Sequence, residues 1–205
     1  IRPFKMIKVR ILNGAHTAMV PVSLLFGNKL VMETVNGDFT GPFVDQVISE
    51  ISETLPMDKN EITAYAEEVM DRFRNPFIKH ALADIALNSI SKFKVRVLPS
   101  LLGYYTTTKK LPTSLTFSLA CLIQFYKGTW NNEALPVKDT PELVEAFKKA
   151  WELGNLESVV AAVLANTDFW DEDLNKVDGL SQALVHALNE IEANGIQQGF
   201  LNFSK

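Results

Sequence analysis

Apolar residues return at three- and four-residue steps through the start of the chain: Ile7, Ile11, Ala15, Ala18, Val22 and Leu25. At about 100° per residue they fall within an arc of about 80°. The pattern predicts an amphipathic helix from about Lys5 to Phe26. Pro21 is able to kink it, and Gly27-Asn28 ends it. Lys29–Asp38 reads equally as a short strand or an irregular helix. From Asp38 to Thr54 the helical period returns, with Phe43, Val47, Ile48 and Ile51 on one side. Asp58-x-x-Glu61 has capping-box spacing and opens a helix running to about Phe73. Asn75-Pro76 stops that helix and starts another, Phe77–Leu87. The pattern resumes from Ser91 to Tyr105 with a bend at Pro99, and Thr106–Lys110 reads as a polar loop.

Pro112 opens an apolar helix to about Lys127, and Gly128–Val137 reads as a loop. Thr140-Pro141-Glu142 combines an N-cap, a first-turn proline and an early acid. It predicts a helix over Pro141–Leu153 that stops at Gly154. Asn155 caps another to about Ala165, and Gly179–Ala193 is the last, with Gly195 just beyond. The sum is about nine helices without a convincing sheet: an all-α, single multi-helix domain over residues 1–205.

Composition agrees with a packed domain. Of 205 residues, 47% are hydrophobic and 21% charged, so disorder is not expected. The formal net charge of -4 gives no electrostatic reason to expect nucleic acid. No apolar run approaches the roughly 20 residues of a membrane span, and the start does not read as a signal peptide. The single cysteine, Cys121, cannot form an internal disulfide and sits in an apolar stretch, so it reads as core. A reducing cytoplasm fits. The first residues, Ile1-Arg2-Pro3, lead almost at once into a helical pattern, as expected of a domain cut from a longer chain.

Lys8, Asn13 and His16 fall at about 0°, 140° and 80° on an α-helical wheel, flanking the apolar stripe. An amine, an amide and an imidazole on one face suit alcohol–ketone chemistry. A lysine can take the hydroxyl proton if burial or a neighbouring charge lowers its pKa. An asparagine can donate to a developing oxyanion. A histidine can hold a neighbouring hydroxyl. Neither a glycine-rich dinucleotide turn nor a P-loop is present, so this chain is not expected to hold a dinucleotide alone. Cys/His metal spacing is also absent, and no metal is expected.

The run Lys8-Val-Arg-Ile-Leu-Asn13-Gly14-Ala15-His16-Thr17 resembles the K-x4-N-x2-H signature of the long-chain polyol dehydrogenases, the mannitol dehydrogenase family. The resemblance implies the C-terminal helical domain of a 6-phosphogluconate dehydrogenase-like enzyme, which follows an N-terminal Rossmann domain and works with it. It implies metal-free, NAD-dependent chemistry, with NAD bound mainly by the domain outside this chain. It assigns Lys8 as catalytic acid/base, Asn13 as oxyanion donor and His16 as substrate orienter.

A second block strengthens the match. Asp71-Arg-Phe-Arg-Asn75-Pro76 precedes His80, Asn88-Ser-Ile-Ser-Lys92 and Arg96-Val-Leu-Pro99. Lys92 corresponds to the family's substrate-contacting lysine. Asn88-Ser89 stands where the polyol-specific branch has Asp-Gly, His80 where it tends to have Asp, and Asp84 where it carries a substrate-binding Arg. The block looks most like the tagaturonate-reducing branch, whose substrate is a sugar acid. A carboxylate needs a cation, so Lys92 and Arg96 are the leading substrate candidates, with Asn88 and His80 beside them and Arg72 ranked lower. His186 reads as structural.

Overall fold

A computed structural model describes residues 2–205 of the chain. The predicted first helix is real and runs without a break from Pro3 to Phe26. It has three parts: α1 (Pro3–Ile7), a π-helical turn (Lys8–Asn13) and α2 (Gly14–Phe26). Pro21 lies inside α2 without interrupting it. Gly27 stops the helix at φ 114°, where its N–H and that of Asn28 both return to the Ser23 carbonyl, a closure that favours glycine. By length and composition this helix could cross a bilayer, but most of its apolar stretch is buried within the domain.

The ambiguous segment resolves as a short helix, α3 (Val31–Asn36), and α4 (Thr40–Ser52) follows with Phe43, Val47, Ile48 and Ile51 buried. Asp58 caps α5 (Lys59–Phe73) by accepting from the Asn60 and Glu61 N–H groups. The expected Phe77–Leu87 helix does not form. Only α6 (Leu82–Ile85) is helical there. The chain before it is held extended by residues 29–31: the Val31 N–H donates to the His80 carbonyl at 3.0 Å and the Leu82 N–H to the Lys29 carbonyl at 2.9 Å. The helical pattern further on divides at Val97 into α7 (Ser89–Arg96) and α8 (Leu98–Thr108), so Thr106–Thr108 is helix rather than loop.

The core centres on α9 (Thr113–Phe125), buried from Ser114 onward and including Cys121. Its Ser118 hydroxyl donates to the Ala18 carbonyl of α2 at 2.6 Å. Its N-terminus is capped from another element: the buried Glu50 carboxylate of α4 accepts from the Ser114 and Leu115 N–H groups at 2.9 Å each. Burial pushes the Glu50 carboxyl above its usual pKa, and these hydrogen bonds oppose the shift. The predicted loop after α9 contains a small antiparallel hairpin, β1 (Thr129–Trp130) and β2 (Glu133–Ala134).

Then come α10 (Pro141–Trp151), α11 (Leu156–Ala165), α12 (Thr167–Trp170) and α13 (Leu180–Phe203). Thr140 and Asn155 cap α10 and α11 as their sequences predict. Gly195 (φ 78°, ψ -174°) breaks α13 rather than ending it. Beyond the break Phe200 packs its ring against Phe43 and Phe117, at 5.1 and 5.0 Å between centroids. That aromatic contact holds the last two turns on the core. The domain is all-α apart from the hairpin.

Candidate active site

The π turn changes the relation between Lys8 and Asn13. In such a turn the backbone bond joins residues five apart, as the Gly14 N–H does in reaching the Val9 carbonyl. Asn13 therefore stands one turn above Lys8 instead of about 140° around an α-helical wheel. Lys8 is exposed and Asn13 half-buried. Between them Arg10 anchors the turn from its other side. Its Nε donates to Ser100 Oγ at 2.8 Å and a terminal nitrogen to Thr54 Oγ1 at 2.9 Å. Burial pulls the Arg10 pKa below its ordinary value.

One turn on, Gly14 lets α2 pack against the end of α7. A Cβ at this position would lie 3.0 Å from the Arg96 carbonyl oxygen and 3.5 Å from Ile51 Cδ1. This close approach brings α7, with Lys92 and Arg96, alongside the polar face of the first helix.

His16 enters a cavity of about 220 Å³ lined with Lys79, His80, Asp84 and Ile85. Its ring stacks on Phe73 at 4.5 Å and meets His80 edge-on at 5.7 Å. Burial first, then the charges of His80 and Arg96, push the His16 pKa down to about 4, so the ring is neutral near pH 7. Its Nε2 is buried without a hydrogen-bond partner among the described residues. An imidazole nitrogen buried without a partner is rare in a folded chain.

Lys92 is half-buried and donates from Nζ to the Ile85 carbonyl at 2.8 Å. Burial, reinforced by Arg96, lowers its pKa. Arg96 thus acts electrostatically on both Lys92 and His16. The His80 side chain is exposed at the cavity rim, its backbone fixed by the pairing with Val31.

Two expected neighbours stand apart. Asn88 is exposed in the left-handed region (φ 54°), with its N–H bonded to the Lys138 carbonyl at 3.0 Å. Asparagine tolerates that conformation, and here it turns the chain into α7 instead of lining the cavity. Arg72 pairs with Glu68 on the exposed face of α5. His186 is half-exposed on α13, 3.9 Å from Glu190. Lys79 is a cavity residue that sequence reasoning missed. Its lysine type alone carried no signal, because a helix was expected there.

The model of the mannitol dehydrogenase C-terminal domain matches residues 1–192. Altronate oxidoreductases of Escherichia coli, from strain K12 among others, are 42% identical over 205 residues, covering 97% of this chain and 42% of theirs. The chain therefore spans about two fifths of the length of these curated relatives. In fold it is similar to the mannitol 2-dehydrogenase of Pseudomonas fluorescens, solved as a ternary complex with NAD and D-mannitol. The TM-score is 0.85 at 19% identity, over 98% of this chain and 41% of that one. It is also similar to a D-sorbitol dehydrogenase, with a TM-score of 0.79 at 16% identity over 96% and 40%.

Proposed function

The chain belongs to the mannitol dehydrogenase C-terminal domain family, and from that premise we propose that it is the substrate side of an NAD-dependent hexuronate oxidoreductase interconverting tagaturonate and altronate. The observation that carries this reading is the surround of His16: a neutral imidazole with an unpaired buried nitrogen, in a cavity it shares with Lys79 and Asp84 and within the field of Arg96. Cations in excess suit a sugar acid better than an uncharged polyol. The 42% identity to altronate oxidoreductases supports the same choice.

In this reading Lys8 takes the hydroxyl proton of the secondary alcohol during oxidation and returns it to the alkoxide during reduction. Asn13, stacked one turn above, donates its amide N–H to the oxygen as negative charge builds there. His16 hydrogen-bonds a neighbouring hydroxyl and adds no charge. Lys92 and Arg96 receive the carboxylate. Lys92 spends one of its three N–H donors on Ile85 and keeps two.

NAD, when bound, supplies or accepts the hydride. The described residues do not fit its adenosine and pyrophosphate. A Rossmann turn needs a parallel strand feeding a helix, whereas the strands here form a two-residue hairpin. Its docking belongs to the remaining three fifths of the length seen in the relatives. That part, packed over the exposed Lys8, would remove the amine from water.

Steady-state kinetics of the full-length protein test the reading. Tagaturonate reduction with NADH should exceed fructose reduction by several orders of magnitude. Comparable efficiency on fructose and mannitol would replace the hexuronate reading with a polyol one.

A further inference from the structure

At the opposite end of the first helix lies a second cleft that the proposed chemistry does not use. Its volume is about 580 Å³, and it is walled by Gln124, Lys127, Trp130, Asn131, Trp151 and Glu192. Trp130 and Asn131 also border the groove beside Leu25 and Phe26. Phe26 stands about 27 Å along the helix from Lys8 at 1.5 Å per residue.

The walls are built rather than incidental. Asn131 and Asn132 both have positive φ, 51° and 64°, and close a two-residue hairpin turn of the kind that matches strand twist. That turn fixes Trp130 at the lip, half-buried. Trp151 is pinned across from it by its indole N–H, which donates to the Ile123 carbonyl at 3.1 Å. Lys127 lies over the Trp151 ring, 4.9 Å from its centroid.

Gln124 is the informative residue. It is 6% exposed, yet its amide makes no hydrogen bond to another described residue. The little of it that is exposed borders the cleft. A buried amide left for solvent awaits a partner with both donors and acceptors.

We propose that this cleft binds a neutral saccharide of one or two rings. The C–H bonds on the face of a sugar ring carry partial positive charge and meet the negative face of an indole. Hydroxyls, each donor and acceptor, match the Gln124 and Asn131 amides. The charges of Lys127 and Glu192 offset each other, so a nucleotide or a uronate gains nothing there. The volume lies within the range of small-molecule sites.

The test uses the full-length protein with maltose and glucose as probes and glucuronate as the charged control. Saturation-transfer NMR should show saturable binding of both neutral sugars in the millimolar range, with glucuronate no tighter than glucose. Trp130→Ala, at an exposed hairpin, should weaken maltose at least tenfold and leave hexuronate turnover unchanged. Gln124→Asn, which shortens the amide without removing it, should weaken it severalfold. Lys8→Ala should not change it. No saturable transfer from either sugar overturns the proposal, as would occur if another part of the longer chain fills the cleft. Binding indifferent to Trp130→Ala overturns it equally, by placing the sugar elsewhere. Neither failure touches the hexuronate reading, which rests on the surround of His16 and is tested by substrate kinetics.

Discussion

The imidazole of His16 stacks on the phenyl ring of Phe73, 4.5 Å between centroids and 25° from parallel. The burial of this ring, reinforced by the charges of His80 and Arg96, sets a pH dependence. The folded-state pKa is about 4 against 6.5 for a free imidazole, so between these values the unfolded chain binds a proton that the folded one does not. Stability therefore falls as pH drops from 6.5 to 4 and this contribution levels off below. The shift corresponds to about 3 kcal/mol. Urea unfolding of His16→Gln should show an acid loss over that window smaller than wild type by about that amount. Parallel pH profiles for the two proteins would refute the burial of a neutral ring.

Lys8→Ala in the full-length enzyme should lower turnover by about 100- to 10,000-fold in both directions, the scale of general acid–base catalysis. Small primary amines should restore part of the rate. Asn13→Ala should raise the barrier by about 3–4 kcal/mol, as loss of an oxyanion donor does. Near-normal turnover with an unshifted pH profile in Lys8→Ala would make this a surface lysine.

Gly14→Ala probes the packing beneath the site. The added methyl meets backbone at 3.0 Å, which cannot swing aside as a side chain can. A stability loss of about 1–3 kcal/mol is expected. Because the displaced atom belongs to Arg96, KM for the uronate should rise more than kcat falls. A fully stable variant with unchanged KM would show that α7 has slack at this contact.

Lys92→Ala should raise KM for tagaturonate while affecting turnover less. The variant loses the proposed carboxylate partner and also the tie to the Ile85 carbonyl. Circular dichroism would check that α7 stays folded. If kcat alone falls, Lys92 acts in the chemical step and not in binding the acid.

Exhaustive chelation should leave the rate of the full enzyme intact. Among the described residues no three of His, Cys, Asp and Glu gather as a metal-holding group. Activity lost to chelator and regained specifically with zinc would contradict a lysine-centred mechanism.

Much of the fold was legible because its signals are local. Asp58, Thr140 and Asn155 cap the helices they precede, and Gly27 closes the first. The failures came where distant parts of the chain decide. Residues 77–81 look helical, but pairing with residues 29–31 draws out the stretch nearest α6. Glu50 carries no local signal of its role, which is to cap α9 across more than sixty residues. The chemistry-bearing triplet was readable as residue types on one helix. Its alignment was not, because an α-helical wheel assumes 3.6 residues per turn and the segment from Lys8 to Asn13 is π-helical.

Among the described residues Arg10 bonds two hydroxyls and no carboxylate. A guanidinium tethered to Ser100 and Thr54 is held in place without being neutralised, so its field persists two residues from Lys8. An aspartate at position 54 would grip the same arginine more tightly and cancel that field. The turn then combines a mechanical anchor with an uncompensated charge. In the proposed reaction an approaching sugar acid would feel this attraction before it touches the residues that hold it, and added salt should diminish it.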